Sequence, residues 1–131
     1  MKKPFTIVGN GKQKRDFIYV TDVAEAFYNS INKKVKNCII NIGSGKPKSV
    51  NEIVNLIEGK KIFVPKRPGE PDITHANIIK ALKILKWQPK ISFEKGMKYV
   101  LHNINYWKNS PLWTKNKIKK ATKNWFKYLK K

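Results

Sequence analysis

The sequence predicts a small α/β domain, of an α+β-like kind, in which short strands alternate with helices. Three observations indicate this fold class. The 131 residues suit one compact domain, 40% of them are hydrophobic, and apolar runs with strand-like and helix-like spacing follow one another. No run of about 18 apolar residues and no signal-peptide pattern is present, and the single cysteine, Cys38, suits a reducing compartment. We therefore expect a cytoplasmic protein without a membrane span.

The first third of the chain is predicted to contain three strands and one helix. The β-branched run at residues 5–8 ends in a Gly-Asn-Gly turn, which is typical of a short strand. The apolar runs at residues 17–20 and 38–42 predict two further strands. Glu25 follows Asp22 at the spacing of a capping box, so we expect Asp22 to cap a helix rather than to take part in chemistry.

The rest of the chain is predicted to alternate in the same way. Ser49 and Glu52 form a capping-box pattern before an amphipathic helix, and residues 62–64 read as a strand. Residues 65–72 contain three prolines and a glycine, which predicts an irregular loop. Helices are also predicted at residues 78–85, from residue 93 (capped by Ser92) to about residue 107, and after Thr114.

The positive charge is the unusual feature of the composition. The formal net charge of +21 indicates an anionic partner or a surface rich in lysine. Arg15 and Arg67 are the only arginines, and the arginine fork binds phosphate oxygens through two parallel hydrogen bonds. Residues 101–131 contain nine lysines and no acidic residue. We expect them to form a helical extension that packs on residues 1–100, with a membrane-surface or nucleic-acid contact as the alternative.

The common catalytic patterns are absent from the sequence. His75 and His102 are far apart and Cys38 stands alone, so we expect no metal site. The glycine pairs at residues 9–11 and 43–45 each lack the third glycine of a dinucleotide-binding turn. We therefore assign no catalytic, metal-binding or cofactor-binding residue to this chain.

Five short motifs occur in the order and spacing of one protein family. They are Gly-Asn-Gly-Lys-Gln-Lys-Arg-Asp-Phe-Ile-Tyr-Val-Thr-Asp-Val-Ala at residues 9–24, Asn-Ile-Gly-Ser-Gly with a later Ser-Val at residues 41–50, Arg-Pro-Gly-Glu-Pro at residues 67–71, Leu-Lys-Trp-Gln-Pro at residues 85–89 and Phe-Glu-Lys-Gly at residues 93–96. Together they resemble the extended short-chain dehydrogenase/reductases, which include UDP-glucose 4-epimerase, UDP-glucuronate decarboxylase and dTDP-glucose 4,6-dehydratase. Asn10 and Lys86 depart from the pattern, since the family usually has aspartate and a helix-ending glycine there.

The resemblance implies a binding site for a nucleotide sugar. Arg15 and Arg67 would bind the diphosphate, Glu70 would accept hydrogen bonds from the ribose hydroxyls, and Asn41 would donate a hydrogen bond near the phosphates. Without the resemblance, Glu70 is equally well a solvated loop carboxylate, and Asn41 a strand-end amide with its bonds satisfied. The strand whose backbone would contact the base comprises Thr6, Ile7 and Val8.

The resemblance also implies that the chain is the C-terminal substrate lobe of an extended Rossmann-type enzyme, without the Rossmann half. The family's glycine fingerprint and Tyr-x-x-x-Lys pair lie in that half, and no tyrosine here precedes a lysine by four positions. We therefore expect residues 1–100 to bind an NDP-hexose as a truncated or split UDP-sugar 4-epimerase or decarboxylase. The chain would not be active alone. NAD would belong to the parent enzyme, and a Rossmann half encoded separately would be the partner.

Two other functions stay open on the sequence alone. The net charge and the tryptophans and tyrosines among the lysines are also typical of a basic nucleic-acid-binding module. The chain could equally serve as a non-catalytic partner lobe of a separate enzyme. Because the five motifs occur in the family's order, a nucleotide sugar is favoured over nucleic acid as the ligand.

Overall fold

Helices and short strands alternate in the computed structural model, which describes residues 4–129, so the first three and last two residues of the predicted domains 1–100 and 101–131 lie outside it. This alternation confirms the predicted mixed α/β class. The strands are β1 (Phe5–Val8), β2 (Lys14–Arg15), β3 (Lys48–Ser49) and β4 (Lys61–Val64). The helices are α1 (Val20–Asn32), α2 (Val50–Ile57), α3 (Phe93–His102), α4 (Lys115–Ala121) and α5 (Lys123–Leu129), with a π-helical turn at Ala81–Leu85 and a 3-10 turn at Ile104–Trp107.

The described chain forms two compact units that are interleaved along the sequence. Unit 1 contains residues 4–15, 48–73 and 110–129, whereas unit 2 contains residues 16–47 and 74–109. Within residues 4–129, no helix is long and apolar enough to span a bilayer.

Unit 1 is organised around the parallel pair of β1 and β4. Phe5 lies opposite Lys61 and Val8 opposite Val64, and α2 provides the crossover that two parallel strands require. Ile7 points into the interior and is only 1% exposed. After β1 the backbone turns sharply, with positive φ at Gly9 and Gly11, as the glycine-rich turn predicted.

The capping box before α2 is confirmed. The Ser49 hydroxyl accepts a hydrogen bond from the Glu52 N–H, and the Ser49 N–H donates to the Glu52 carboxylate at 2.7 Å. These bonds satisfy two N–H groups that the first turn of a helix otherwise leaves without partners. They also lower the pKa of the Glu52 carboxyl. The predicted strand at residues 62–64 and the irregular loop after it are confirmed too.

Unit 2 has its own hydrophobic core, centred on Trp87. The indole is 2% exposed and packs with Ala26 of α1 and with Ala81 and Leu85 of the π-helical turn. The indole N–H donates to the Asp22 carbonyl oxygen at 3.0 Å, so its polar atom is satisfied in the interior. The surrounding, partly buried side chains are Ile18, Val35, Ile40 and Ile42.

Two of the predicted strands are not formed. Residues 16–19 and 38–42 have irregular backbone, although Ile18, Ile40 and Ile42 pack against the core of unit 2. A strand needs a neighbour to pair with, and all the strand pairs in the described residues belong to unit 1. The apolar pattern therefore identified three half-buried residues but assigned them the wrong backbone, and Phe17, Val20 and Ile39 of the same runs are exposed.

The predicted cap of α1 is also wrong. The helix begins at Val20, with Tyr19 as an N-cap that makes no side-chain bond, so Asp22 already lies in the first turn. Asp22 is 2% exposed, and its carboxylate accepts a hydrogen bond from the Ile91 N–H at 3.0 Å. Asp22 therefore ties α1 to a neighbouring loop instead of closing the helix end.

Two predicted helices are shorter than expected because each is interrupted. Ser92 caps α3 as predicted, but the α-helix ends at His102, before the 3-10 turn. Thr114 caps α4 as predicted, and the following helix is divided at Thr122. The Thr122 hydroxyl donates to the Ile118 carbonyl oxygen at 2.8 Å, a bond that competes with regular helix geometry.

The C-terminal end of the π-helical turn offers a stabilising substitution. Lys86 adopts the left-handed conformation (φ 52°, ψ 38°), which glycine tolerates far better than lysine. We expect Lys86→Gly to raise the free energy of unfolding by about 0.5–1 kcal/mol, measured by urea denaturation. Lys83→Gly, within the same turn, should instead lower it by about 1 kcal/mol. A loss of stability in Lys86→Gly would contradict this account of the helix end.

Candidate functional site

Unit 1 contains every predicted site residue except Asn41, which belongs to unit 2. The two arginines come from different elements, since Arg15 ends β2 and Arg67 lies in the loop after β4. Glu70 lies in the same loop, three residues after Arg67. The strand residues of this set are Thr6, Ile7 and Val8, all in β1.

Arg15 and Glu70 form an ion pair. An Nη2 hydrogen of Arg15 donates to the Glu70 carboxylate at 3.1 Å, and Nη1 donates to the Pro71 carbonyl oxygen at 3.0 Å. The two side chains keep 26% and 21% of their surface exposed, so solvent or a ligand can reach both of them. The residues predicted to bind phosphate and ribose are therefore in direct contact with each other.

The loop that carries Arg67 and Glu70 is held in place at both ends. The Lys14 N–H donates to the Asp72 carbonyl oxygen at 2.8 Å, and the Lys66 ammonium donates to the Asp72 carboxylate. This hydrogen bond, together with the positive charges of Lys66 and Arg15, lowers the pKa of the Asp72 carboxyl. The loop is thus an ordered, charged segment despite its lack of secondary structure.

A cavity of about 470 Å³ lies between this loop and the turn after β1, and we call it the turn cavity. Glu70 and Asp72 contribute carboxylates to its wall, whereas Lys12 and Lys66 contribute ammonium groups. Its volume falls within the usual range of small-molecule sites, about 300–1,000 Å³. The other lining residues are Val8, Gly9, Asn10, Gln13, Pro71 and Ile73.

Arg67 is packed against the C-terminal helices. Its guanidinium carbon lies 5.6 Å from the centre of the Trp125 ring, and the Trp125 indole N–H donates to the Pro68 carbonyl oxygen. The Nε of Arg67 is buried and has no hydrogen-bond partner among the described residues. A buried donor without a partner is uncommon, because it loses its bond to water. The sequence pattern indicated only that the tryptophans of the tail would pack on the domain. It did not predict that Trp125 contacts Arg67.

Arg67 also lines a second cavity of about 460 Å³, which we call the tail cavity. One wall is formed by Val8 and Val64, at the ends of the two paired strands. The opposite wall is formed by α4 and α5, through Ile118, Thr122 and Phe126 and three lysines. A smaller cavity of about 260 Å³ connects Thr6 of β1 with Arg67, Trp113 and Ile118.

Asn41 belongs to unit 2. Its side chain is exposed and contributes to the wall of an open cavity of about 500 Å³. Asn77, Lys80 and Lys83 line the same cavity, so its wall carries amide and ammonium donors. Such a wall is suited to polar or anionic groups.

Asp16 holds together the loops of unit 2, a role that the motif pattern did not reveal. Its carboxylate accepts hydrogen bonds from the Ser44 N–H and hydroxyl, from the Gly45 N–H at 3.0 Å and from the Ala76 N–H at 2.9 Å. Burial raises the pKa of this carboxyl, but the bonds from Ser44, Ala76 and Gly45 outweigh burial, and the net pKa is below the usual value. Gly43 lies so close that an added Cβ would be 2.9 Å from the carboxylate.

Neither glycine turn fits a dinucleotide cofactor. The Ser44 and Gly45 N–H groups, which could have contacted a phosphate, are already bonded to Asp16. The turn at residues 9–11 leads into β2 and not into a helix, so it lacks the helix N-terminus that binds a pyrophosphate. Within residues 4–129, no group of three histidine, cysteine or acidic side chains could hold a metal ion.

The fold matches that of solved nucleotide-sugar epimerases. A UDP-glucose 4-epimerase from Thermotoga maritima, solved with UDP-glucose, superimposes with a TM-score of 0.75 and 29% identity over 79% of this chain and 35% of its own. A UDP-glucuronic acid 4-epimerase from Bacillus cereus, solved with UDP-glucuronic acid and NAD, gives a TM-score of 0.73 and 34% identity over 79% and 36%. These structures define the class as the NAD-dependent nucleotide-sugar epimerases and dehydratases of the extended short-chain dehydrogenase/reductase type.

The sequence comparisons give the family itself. Residues 1–100 match the sequence model of the GDP-mannose 4,6 dehydratase family, and the chain belongs to this family. It is 40% identical to a UDP-glucuronate 4-epimerase of Thermodesulfobacterium geofontis over 74% of this chain and 32% of the relative. It is 41% identical to a putative UDP-glucose 4-epimerase of Methanocaldococcus jannaschii over 79% and 34%. The predicted family is confirmed, and the chain spans about a third of the length of these relatives.

Proposed function

We propose that unit 1 binds the nucleoside diphosphate of a nucleotide sugar, as the C-terminal substrate lobe of an NAD-dependent epimerase. The observation that carries this proposal is the position of the two arginines. In a chain whose other cations are all lysines, both belong to unit 1. Arg67 lines the tail cavity, and Arg15 is hydrogen-bonded to Glu70 and Pro71, which line the turn cavity. Arginine binds phosphate oxygens better than lysine because its planar fork offers two parallel donors.

A ligand could replace each member of the ion pair between Arg15 and Glu70 as the other's hydrogen-bond partner. A diphosphate is a stronger acceptor for Arg15 than one carboxylate, because it offers more oxygen atoms and more negative charge. When Arg15 turns to the diphosphate, Glu70 is released. Its carboxylate then accepts hydrogen bonds from the ribose hydroxyls, which are neutral donors that a carboxylate favours.

The base would be bound by the backbone of β1. In the described residues, this strand pairs only with β4. Its Val8 carbonyl oxygen already accepts a hydrogen bond from the Gln13 side chain at 2.7 Å, so the base would use the remaining backbone groups of the unpaired edge. Thr6 and Val8 are half-buried at this edge, whereas Ile7 fixes the strand in the interior.

The proposed chain binds and orients the substrate but supplies none of the catalytic groups. We place the NAD of the parent enzyme on the part of the relatives that this chain does not match, since neither glycine turn suits it. A Rossmann half encoded separately would complete the enzyme in the cytoplasm. Epimerisation of a UDP-sugar is favoured over dehydration or decarboxylation, because the two relatives described above are named UDP-sugar 4-epimerases.

The test is titration calorimetry of the full chain with UDP, dTDP and GDP sugars. Arg15→Ala and Arg67→Ala should each weaken binding by about 1.5–3 kcal/mol, or roughly 10- to 150-fold, as expected for a lost charge-assisted hydrogen bond. Lys60→Ala, which removes an exposed cation of unit 1 that lines neither cavity, should have little effect. If neither arginine variant binds more weakly than wild type, the proposal fails.

Binding of single-stranded nucleic acid is the second candidate function. Tyr106, Trp113 and Tyr128 are 85%, 65% and 70% exposed, and each has a lysine within two residues in the sequence. Exposed aromatic rings among cations can stack on bases while the cations contact phosphates. Affinity that falls steeply with salt and is unaffected by UDP-sugars would support this function over the first.

A further inference from the structure

We propose that the C-terminal helices add a cationic wall to the nucleotide site. The tail cavity would hold the phosphates and the base, the latter beside Val8 of β1, which the tail cavity shares with the turn cavity that contains Glu70. The wall consists of Lys115, Lys119 and Lys123, which we call the lysine row. This inference rests on the proposed function, because it assigns further ligand contacts to the same site. It concerns residues beyond the segment 1–100 that matches the family.

The first step of the argument is the shape and chemistry of the tail cavity. Its volume of about 460 Å³ is that of a small-molecule site. Its floor is apolar, because Val64 and Pro65 face Ile118 and Phe126 across it. An apolar floor of this size suits a planar ring such as a nucleobase, which gains from leaving water.

The second step is the charge of the rim. The lysine row and Arg67 give the cavity four cations, and no carboxylate is among its lining residues. Lys115 and Lys119 are four residues apart on α4 and so lie on the same face of that helix, and Lys123, at the start of α5, lines the same cavity. In the part of the chain that is described, none of the ion pairs involves these lysines. Four neighbouring cations repel one another, so the rim favours an anion with several charges.

The third step is the state of Arg67. Trp125 covers the guanidinium from one direction, while the buried Nε has no partner among residues 4–129. Because this atom is closed to solvent, Arg67 would turn toward the cavity to bind a phosphate oxygen, and the new bond would remove the cost of the unsatisfied buried donor. Because Arg67 belongs both to the motif shared with the family and to the tail cavity, the lysine row extends the proposed diphosphate site and does not form an unrelated one.

A ligand that fits all three features has an aromatic base and a multiply charged phosphate group. A nucleoside diphosphate has both, and a nucleotide sugar carries it. A nucleoside without phosphate would contact only the apolar floor of the tail cavity, and inorganic phosphate would contact only its cations. The combination therefore predicts that UDP binds more tightly than either uridine or inorganic phosphate.

The experiment compares two triple variants of the full chain by titration calorimetry with UDP, uridine and inorganic phosphate. The first changes the lysine row to glutamine. The control changes Lys117, Lys120 and Lys127, which lie on the same helices but do not line the tail cavity, so net charge and helix propensity change equally. We expect about tenfold weaker UDP binding for the first variant, from three lost charge pairs at partly exposed positions, and less than about twofold for the control.

The outcomes separate this inference from the proposed function. If Arg15→Ala and Arg67→Ala weaken UDP binding but the lysine-row variant does not, the inference is overturned and the proposed function stands. If the control triple variant loses as much affinity as the lysine row, net charge is responsible and the inference is overturned too. If wild type binds no UDP, both fail. If the lysine row affects a single-stranded oligonucleotide but not UDP, the tail is a nucleic-acid contact instead.

Discussion

Replacing Trp87 by alanine should lower the free energy of unfolding by about 3–5 kcal/mol, a typical cost for deleting a buried aromatic side chain. The indole is 2% exposed and fills the centre of the unit 2 core, against Ala26, Ala81 and Leu85. Alanine would leave a cavity there, and Ala26 and Ala81 offer little side-chain volume to close it. The Asp22 carbonyl oxygen would also lose its partner at 3.0 Å.

Urea denaturation followed by far-ultraviolet circular dichroism measures this effect without relying on tryptophan fluorescence. If Trp87→Ala does not fold, Trp87→Phe still tests the account, because it keeps an aromatic ring but removes the N–H donor. We expect that variant to cost about 1–3 kcal/mol. Trp107→Ala is the matched control, since Trp107 belongs to the same unit and is 56% exposed. An equal loss of unfolding free energy in Trp107→Ala would contradict the conclusion that Trp87 is the centre of the unit 2 core.

Asp16→Ala should have the second largest effect, a loss of about 2–4 kcal/mol at neutral pH. Four donors from Ser44, Gly45 and Ala76 converge on this carboxylate, and removing it leaves them without their acceptor. The loss is smaller than the sum of four charged hydrogen bonds because Asp16 is only half-buried, so water can replace part of them. Asp16→Asn retains the shape but replaces one acceptor oxygen by a donor, and should cost less than alanine.

The pH dependence of this effect has a defined sign. Because the pKa of Asp16 is lower in the folded protein than the usual value of about 3.9, the folded state favours the ionised carboxylate. The stabilisation is complete above the unfolded pKa and is lost as pH falls through the folded pKa. The difference between wild type and Asp16→Asn should therefore be largest at pH 6–7 and shrink below about pH 4. A difference that stays constant to pH 2 would show that charge has no part in it.

The sequence predicted best where structure depends on near neighbours. The capping box of Ser49 and Glu52 joins atoms three residues apart and was predicted correctly, although the same spacing of Asp22 and Glu25 did not give a cap. The strands predicted at residues 17–20 and 38–42 depended on partners far along the chain. The apolar pattern indicates burial, which is partial for Ile18 and Ile40 and absent for Ile39, and it does not indicate which strands pair.

The candidate site shows the same division. Family motifs indicated Arg15, Arg67 and Glu70 individually, yet the contact between Arg15 and Glu70 joins residues 55 positions apart and comes from the folded chain. The stacking of Trp125 on Arg67 is equally non-local. No periodicity in the tail specifies which cation a tryptophan will cover. The roles of Arg15, Arg67 and Glu70 in binding stay predictions until the variants are measured.

The interleaving of the two units has a consequence for biosynthesis. The chain passes from one unit to the other four times, after residues 15, 47, 73 and 109. All of unit 2 has left the ribosome once Asn109 is free, whereas unit 1 still waits for α4 and α5 to cover Arg67 and Val8. Folding during translation therefore completes the Trp87 core first. A stop codon just after residue 109 would spare that core and remove one wall of the tail cavity.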